Sequence, residues 1–375
     1  MKSVLILTAS FGEGHNAAAR NLREALQAVS PDTNVVMSDV FLEAYGWANR
    51  LTMRAYLAVI NHAPWLWQGI FDLLDRTTLL ESHMGLYHAA EKRLAALIAE
   101  HQPEVIVSVY PGCNCLLDRL YRPPQKRPFR TLTVVTDSLT INGAWYRPFS
   151  DYLLVANEAT AEKLHEAGIA PKRVLVTGFP VPRCFARISK THQAPAAGEP
   201  WRVLYVINSG HHLAPGIVSQ LLDLPGISVT ATVGRDENLG KRLTALAREK
   251  NRPLAVHGWT PELPRLMAES HLLISKAGGA TVQESLAALT PMIITQIVPG
   301  QEEGNAQLLM ESGAGVFASS SEEISAAVSE AFQDGGAKWR QQIAAVTRLS
   351  KPDASDRLAE FVLAQGTLSP SQALP

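Results

Sequence analysis

Between Ser275 and Leu289 the chain reads Ser-Lys-Ala-Gly-Gly-Ala-Thr-Val-Gln-Glu-Ser-Leu-Ala-Ala-Leu. Lys276, Ala277, Gly278, Gly279 and Thr281 form a small, cationic turn after the apolar run Leu272–Ile274, and Glu284 follows inside a helix-like segment beginning near Thr281. Glycines at a helix mouth let an anion reach backbone N–H groups that have no partner inside the helix. The helix dipole adds about 0.3–1 kcal/mol for a negative group placed there. A carboxylate about one turn in can accept hydrogen bonds from a ribose attached to that anion. The pattern describes a nucleotide site, although a glycine pair between strand and helix also serves as a plain tight connection.

A second unit of the same kind follows. Pro291–Thr295 reads as a buried strand, and Pro299-Gly-Gln-Glu-Glu-Gly-Asn-Ala306 as a glycine-containing loop running into a helix. Gln301 and Glu302 there offer neutral and anionic groups suited to sugar hydroxyls. Two successive strand–loop–helix units place their loops at the same end of a parallel sheet, where open α/β folds bind ligands. Near the N-terminus, Ala9-Ser-Phe-Gly-Glu-Gly-His15 follows the strand-like run 3–8 and opens a helix to about Val29. Ala18, Leu22, Ala25, Leu26 and Val29 lie on one face of that helix. Histidine is the side chain suited to proton removal near neutral pH, which makes His15 the first candidate for a general base. Asp137, at the end of the apolar run Thr131–Thr136, is the second. A helix-end polar His and a turn Asp are the plainer readings of the same residues.

These segments resemble the glycosyltransferase family of monogalactosyldiacylglycerol synthases and processive diacylglycerol glucosyltransferases (family 28-like). The family pattern is a Lys/Ser-Ala/Gly-Gly turn, a Glu on the next helix and a PGQE-x-GN segment, present here as Lys276–Gly279, Glu284 and Pro299–Asn305. The resemblance implies that Glu284 holds the ribose of UDP, that the 276–281 turn faces the diphosphate, and that Gln301 and Glu302 address the sugar. It also implies an acceptor-side glycine turn at Gly12, Gly14 and His15, and a V-T-D strand end at Asp137. Softer matches are Gly210, remnant of a glycine-rich turn near the diphosphate, and Gly258-Trp259, whose backbone would flank the uracil. Asn142 and Gly143 stand where a His is common in plant-type members.

The implied fold is α/β of GT-B type, two Rossmann-like domains with an interdomain cleft. Strand-like runs at 3–8, 34–40, 105–110, 131–136, 151–156 and 173–177 precede a polar, Pro/Ala/Gly-rich stretch at 189–200, and runs at 201–207, 227–233, 254–257, 271–275 and 291–295 follow it. The expected division is an acceptor and membrane-binding domain over 1–188, a linker over 189–200, a UDP-sugar domain over 201–362 and a flexible tail over 363–375. With 375 residues, 46% hydrophobic and 18% charged, the chain is long enough for two cores.

A formal net charge of −1 gives no global attraction to nucleic acid. No apolar run reaches the roughly 20 residues that span a bilayer, and no leader precedes the first strand, so a cytoplasmic protein, peripheral on the inner face of the cell membrane, is expected. Three cysteines make no disulfide framework. No Asp-x-Asp pair accompanies the donor segment, and Lys276 with the helix ends can neutralise a diphosphate, so neither cofactor nor metal is expected. The segment from Phe41 to Met84 interleaves Tyr45, Trp47, Tyr56, Trp65, Trp67 and Phe71 with Arg50, Arg54 and Arg76. It can meet a membrane interface or pack helices on a sheet. Arg119 to Arg130 holds five basic residues beside Tyr121 and Phe129, suited to anionic lipids or to a solvated loop.

The partners implied are UDP-galactose or UDP-glucose and diacylglycerol, giving a β-glycosyl-diacylglycerol with inversion. A polyprenyl-linked or other alcohol acceptor, and a non-catalytic binding protein, remain alternatives.

Overall fold

The computed structural model describes residues 3–62, 69, 87–124, 127–187, 193–300 and 302–366. Trp65, Trp67, Phe71, Arg76, Met84, Lys126 and Gln301 lie outside the described residues, as do 188–192 and 367–375. The chain divides into two units, one of residues 1–183, 299–304 and 353–375 and the other of 184–298 and 305–352.

The first unit holds a six-stranded parallel sheet, β1 (Ser3–Thr8), β2 (Asn34–Asp39), β3 (Val105–Ser108), β4 (Arg130–Val134), β5 (Tyr152–Val155) and β6 (Val174–Val176). Its order is β2-β1-β3-β4-β5-β6. Parallel neighbours require a crossover between strands, and helices on both faces bury the sheet. That is why β1, Ser3-Val-Leu-Ile-Leu-Thr8, is buried at every position rather than alternating. The crossover helix Glu13–Val29 buries Ala18, Ala19, Leu22, Ala25 and Leu26 along one stripe. Each buried leucine there contributes about 1.5–3 kcal/mol.

The second unit repeats the plan with β7 (Trp201–Val206), β8 (Ile227–Thr232), β9 (Leu254–His257), β10 (Leu272–Ser275), β11 (Met292–Ile294) and β12 (Gly315–Phe317). The order β12-β11-β10-β7-β8-β9, all parallel, is that of the dinucleotide-binding fold, with its reversal between β7 and β10. β12 carries only three residues and too short an apolar run to stand out in the sequence. The helix after β10 starts at Gly279, two residues before the expected start near Thr281.

The sequence pattern carries the second unit to residue 362 and a flexible tail from 363. The contacts group 353 onward with the first unit instead, and the last helix runs Ala354–Gln365. Ser355 Oγ donates to Val181 O at 2.5 Å, and Arg183 pairs with Asp356. Leu358, Ala359 and Val362 of that helix are buried. Their i, i+1, i+4 spacing has no preferred sheet, so the choice between two cores is a tertiary one.

Two sequence segments with open readings divide. Phe41 is buried and packs into the first core, edge-on to Tyr110 at 5.8 Å. Trp47 and Leu51, on the helix Trp47–His62, are 73% and 59% exposed. The Arg119–Arg130 segment is not a free basic loop. Arg119 pairs with Glu91, Arg122 and Arg127 with Asp118, and Arg130 with Asp151. Arg127 is only 6% exposed. A buried guanidinium needs a paired carboxylate, so Arg127 is not offered to a lipid surface.

Candidate functional site

In the first unit the chemistry gathers at the carboxyl ends of β1, β3 and β4. Gly12 caps the helix Glu13–Val29 with φ +116°, a conformation open to glycine and strained for other residues. The loop before it is tied down by a chain of side chains. Thr8 Oγ1 donates to Asn16 Oδ1 at 2.9 Å, Asn16 Nδ2 to Ser10 Oγ at 3.1 Å, and Ser10 Oγ to Asp39 Oδ2 at 2.5 Å. Gly14 lies in the first turn of the helix, and His15 follows, 8% exposed.

His15 Nδ1 is 2.9 Å from Val109 O and 3.0 Å from Thr136 Oγ1. A carbonyl only accepts, so Nδ1 carries the hydrogen and Nε2 bears the lone pair. Burial pushes the imidazole down to about 4, with the Val109 bond opposing it, so the ring is neutral at pH 7. Tyr110 meets the ring edge-on at 5.2 Å and stacks on Phe11 at 5.8 Å. These aromatics form an apolar wall beside the imidazole.

Asp137 sits directly after Thr136, and Trp145 Nε1 donates to its Oδ2 at 2.7 Å. Burial pushes this carboxyl up to about 6, against the pull of the Trp145 bond. Asn142 accepts from Ala144 N at 2.9 Å and caps the short turn Gly143–Trp145. Its side chain therefore presents Trp145 to Asp137. Thr136, Val109 and Trp145 escape a sequence search for reactive groups: a backbone carbonyl has no sequence signal, and Trp145 carried only its place after the V-T-D strand.

In the second unit the groups lie at the reversal between β7 and β10. Ser275 Oγ, buried at the end of β10, is 2.9 Å from Val206 O and 3.1 Å from Asn208 Oδ1, joining the two loops. Gly278 caps the helix Gly279–Ala287 at φ −65°, an ordinary extended conformation, and no side chain caps that end. The glycine thus keeps the approach open rather than supplying a left-handed turn. The first N–H groups of the helix remain available to an anion. Ala277 N donates to Gln296 O at 3.0 Å, and Asn305 Nδ2 to Ala277 O at 3.2 Å, which hold the turn in place from the next loop. Asn305 is 2% exposed and its Oδ1 has no hydrogen-bond partner among the described residues. Lys276, Thr281 and Glu284 are half-buried on this turn and helix.

Gly210 turns the loop after β7 at φ +64°. Gly258 follows β9 beside Gly234, whose carbonyl would lie 3.4 Å from an added Cβ. Trp259 does not pack at the strand end; it is 71% exposed, leaving its ring face free for a planar ligand. Glu302 is buried, and the 299–304 loop groups with the first unit.

Residues 15–181 match the model of the monogalactosyldiacylglycerol (MGDG) synthase family, and residues 218–358 match the glycosyltransferase family 28 C-terminal domain. The chain is 27% identical over 377 residues to monogalactosyldiacylglycerol synthase 2 of Arabidopsis thaliana, covering 94% of this chain and 78% of that protein. It is 26% identical over 339 residues to the processive diacylglycerol beta-glucosyltransferase of Bacillus subtilis, covering 89% and 87%. Among solved structures, MurG of Acinetobacter baumannii matches with a TM-score of 0.65 over 97% of this chain and 100% of that one. At 13% identity that likeness is one of fold, two Rossmann-like units of GT-B type.

Proposed function

We propose that the chain is a member of the family of monogalactosyldiacylglycerol synthases and processive diacylglycerol glucosyltransferases, and that it moves a hexose from UDP-galactose or UDP-glucose to diacylglycerol. The observation that carries the reading is the uncapped helix Gly279–Ala287 at the reversal of the second sheet, with Glu284 one turn in. Its N–H groups and Lys276 take the diphosphate, and Glu284 takes the ribose hydroxyls. The exposed Trp259 stands by for the base. These donors supply the positive charge that the leaving diphosphate needs, and no metal ion is invoked for it.

Asp137 is the general base. Raised to about 6, it is ionised at neutral pH yet far more basic than a solvated carboxylate, whereas His15 at about 4 is the weaker base of the two. The acceptor hydroxyl has a single proton, which goes to Asp137, while the neutral His15 ring lines the site. As Asp137 takes the proton, the hydroxyl oxygen attacks the anomeric carbon from the face opposite UDP. The C1–O bond breaks, its electron pair stays with the diphosphate, and the product is the β-glycoside.

No helix among the described residues is long and apolar enough to cross a membrane. Trp47, Arg50, Leu51 and Arg54 are exposed on one face of the helix Trp47–His62, at the i, i+3, i+4, i+7 spacing of an interfacial helix. We assign that face to the membrane surface that supplies diacylglycerol, on the cytoplasmic side.

The test is UDP release by the purified protein with UDP-galactose or UDP-glucose, with and without diacylglycerol micelles. Diacylglycerol-dependent release from one donor, abolished by Glu284→Ala and by Asp137→Asn, is the expected result. Donor binding without lipid-stimulated turnover overturns the acceptor assignment.

A further inference from the structure

The loop after β7 carries a His–Asp pair that the donor reading has not used. β7 lies between β10 and β8, so residues 207–213 stand at the reversal of strand order, directly before the helix Ala214–Asp223. The sequence resemblance implies a glycine-rich turn near the diphosphate in this place. Here Gly210 alone remains of it, and His211 and His212 follow, both exposed. Where a glycine turn offers only backbone N–H groups, this chain also offers imidazoles.

One of them is built in. His211 Nδ1 lies 2.8 Å from Asp236 Oδ2, and Asp236 Oδ1 accepts from Leu239 N at 2.9 Å as the cap of the helix Glu237–Glu249. Both carboxylate oxygens are therefore committed. The Leu239 N–H and the His211 bond hold the Asp236 carboxyl below its ordinary range, so it is ionised at neutral pH. A carboxylate accepts, so Nδ1 carries a hydrogen and the ring is fixed by the head of a helix. Nε2 has no partner among the described residues. A proton there makes an imidazolium whose charge is paired on one side, with its second N–H free for an anion. Arg235 and Glu237, either side of Asp236 in sequence, are exposed and of opposite sign.

We propose that His211, oriented by Asp236, donates a charge-assisted hydrogen bond to the diphosphate of the sugar nucleotide. This deepens the donor-site reading and rests on it. The geometry divides the labour: Asp236 fixes the tautomer and the ring plane, and Nε2–H meets a phosphate oxygen beside the N–H groups at the start of the helix Gly279–Ala287. Charge on that oxygen grows as the C1–O bond breaks and its electron pair passes to UDP. No proton is transferred; the hydrogen bond strengthens as the charge develops.

Calorimetric titration of the full chain with UDP and, separately, with uridine tests this, because uridine lacks the diphosphate. His211→Asn is expected to weaken UDP by roughly tenfold and to leave uridine unchanged, the size of one charge-assisted hydrogen bond. His211→Lys, which restores a cation, is expected to recover UDP affinity to within about threefold of the parent. Asp236→Asn keeps a helix-capping side chain but loses the charge, and should weaken UDP less than His211→Asn does. An equal loss for UDP and uridine, or no loss for UDP, overturns the proposal. The outcomes separate the two readings: a parent protein that binds neither nucleotide removes the donor site itself. One that binds UDP in a Glu284-dependent way, indifferent to His211, removes only the role of His211.

Discussion

Burial moves His15 and Asp137 in opposite directions for one physical reason, since each is driven toward its neutral form. Asp137 is raised to about 6, so any reaction that uses it as a base must gain rate as it ionises. The expected pH profile of kcat/KM rises through about pH 6 and is flat above it, and Asp137→Asn costs on the order of 10²–10⁴ in rate. An acidic limb near pH 4 instead would assign the base to His15. The same shift has a stability sign. A carboxyl raised in the folded state contributes stability that is complete below its unfolded value and is lost as pH rises through about 6. The loss begins near pH 4 and is complete above about pH 6, so Asp137→Asn is expected to stabilise the protein by about 1 kcal/mol more at pH 8 than at pH 5, read from unfolding at both pH values. For His15 the sign reverses: lowered to about 4, it contributes stability above its unfolded value of 6.5 that is lost as pH falls toward 4.

Helices and turns carry the positions of these groups, and some depend on single residues. The helix Ser321–Leu349 is broken at Gln333–Gly336, where Asp334, Gly335 and Gly336 take left-handed conformations. Gly336, at φ +83°, lies under the Trp201 ring, and a Cβ there would stand 2.5 Å from that ring. Trp201 in turn stacks on Phe332 at 4.4 Å and meets Trp339 edge-on at 5.1 Å. Gly336→Ala combines a strained backbone with a displaced aromatic cluster, and is expected to cost about 2–3 kcal/mol in urea unfolding. Gly12→Ala has only the first of these terms, since nothing lies within 4 Å of its added Cβ. Sequence periodicity found both sheets' strands to within a residue or two, because buried parallel strands are short apolar runs. β12, only three residues long, is absent from those runs.

Membrane contact belongs to the molecule as a whole. No helix among the described residues is long and apolar enough to cross a membrane, and in the proposed reading lipid access rests on the face bearing Trp47, Arg50, Leu51 and Arg54. Replacing Trp47 and Leu51 together by Ala is expected to reduce co-sedimentation with diacylglycerol-containing vesicles by fivefold or more. The removed area is worth about 2 kcal/mol or more in transfer. UDP affinity, measured on the same protein without lipid, should be unchanged. A parallel loss of UDP binding would show a damaged fold rather than a lost lipid contact.

The amino-acid order alone determined the two α/β series, the loops that bear ligand groups, and the Lys276–Gly279, Glu284 and Gly12–His15 segments, because these rest on local spacing. Tertiary structure decided what spacing cannot carry. Arg127 and Arg130 became internal ion pairs because their carboxylates are brought by other elements. The last helix joined the first unit through Ser355 and Asp356, whose partners Val181 and Arg183 lie more than 170 residues away. His15 became a neutral, tautomer-fixed ring only once Val109 O and Thr136 closed on it. Desolvation and hydrogen bonding act through space, and their sign at a given side chain is set by whatever the folded chain packs around it.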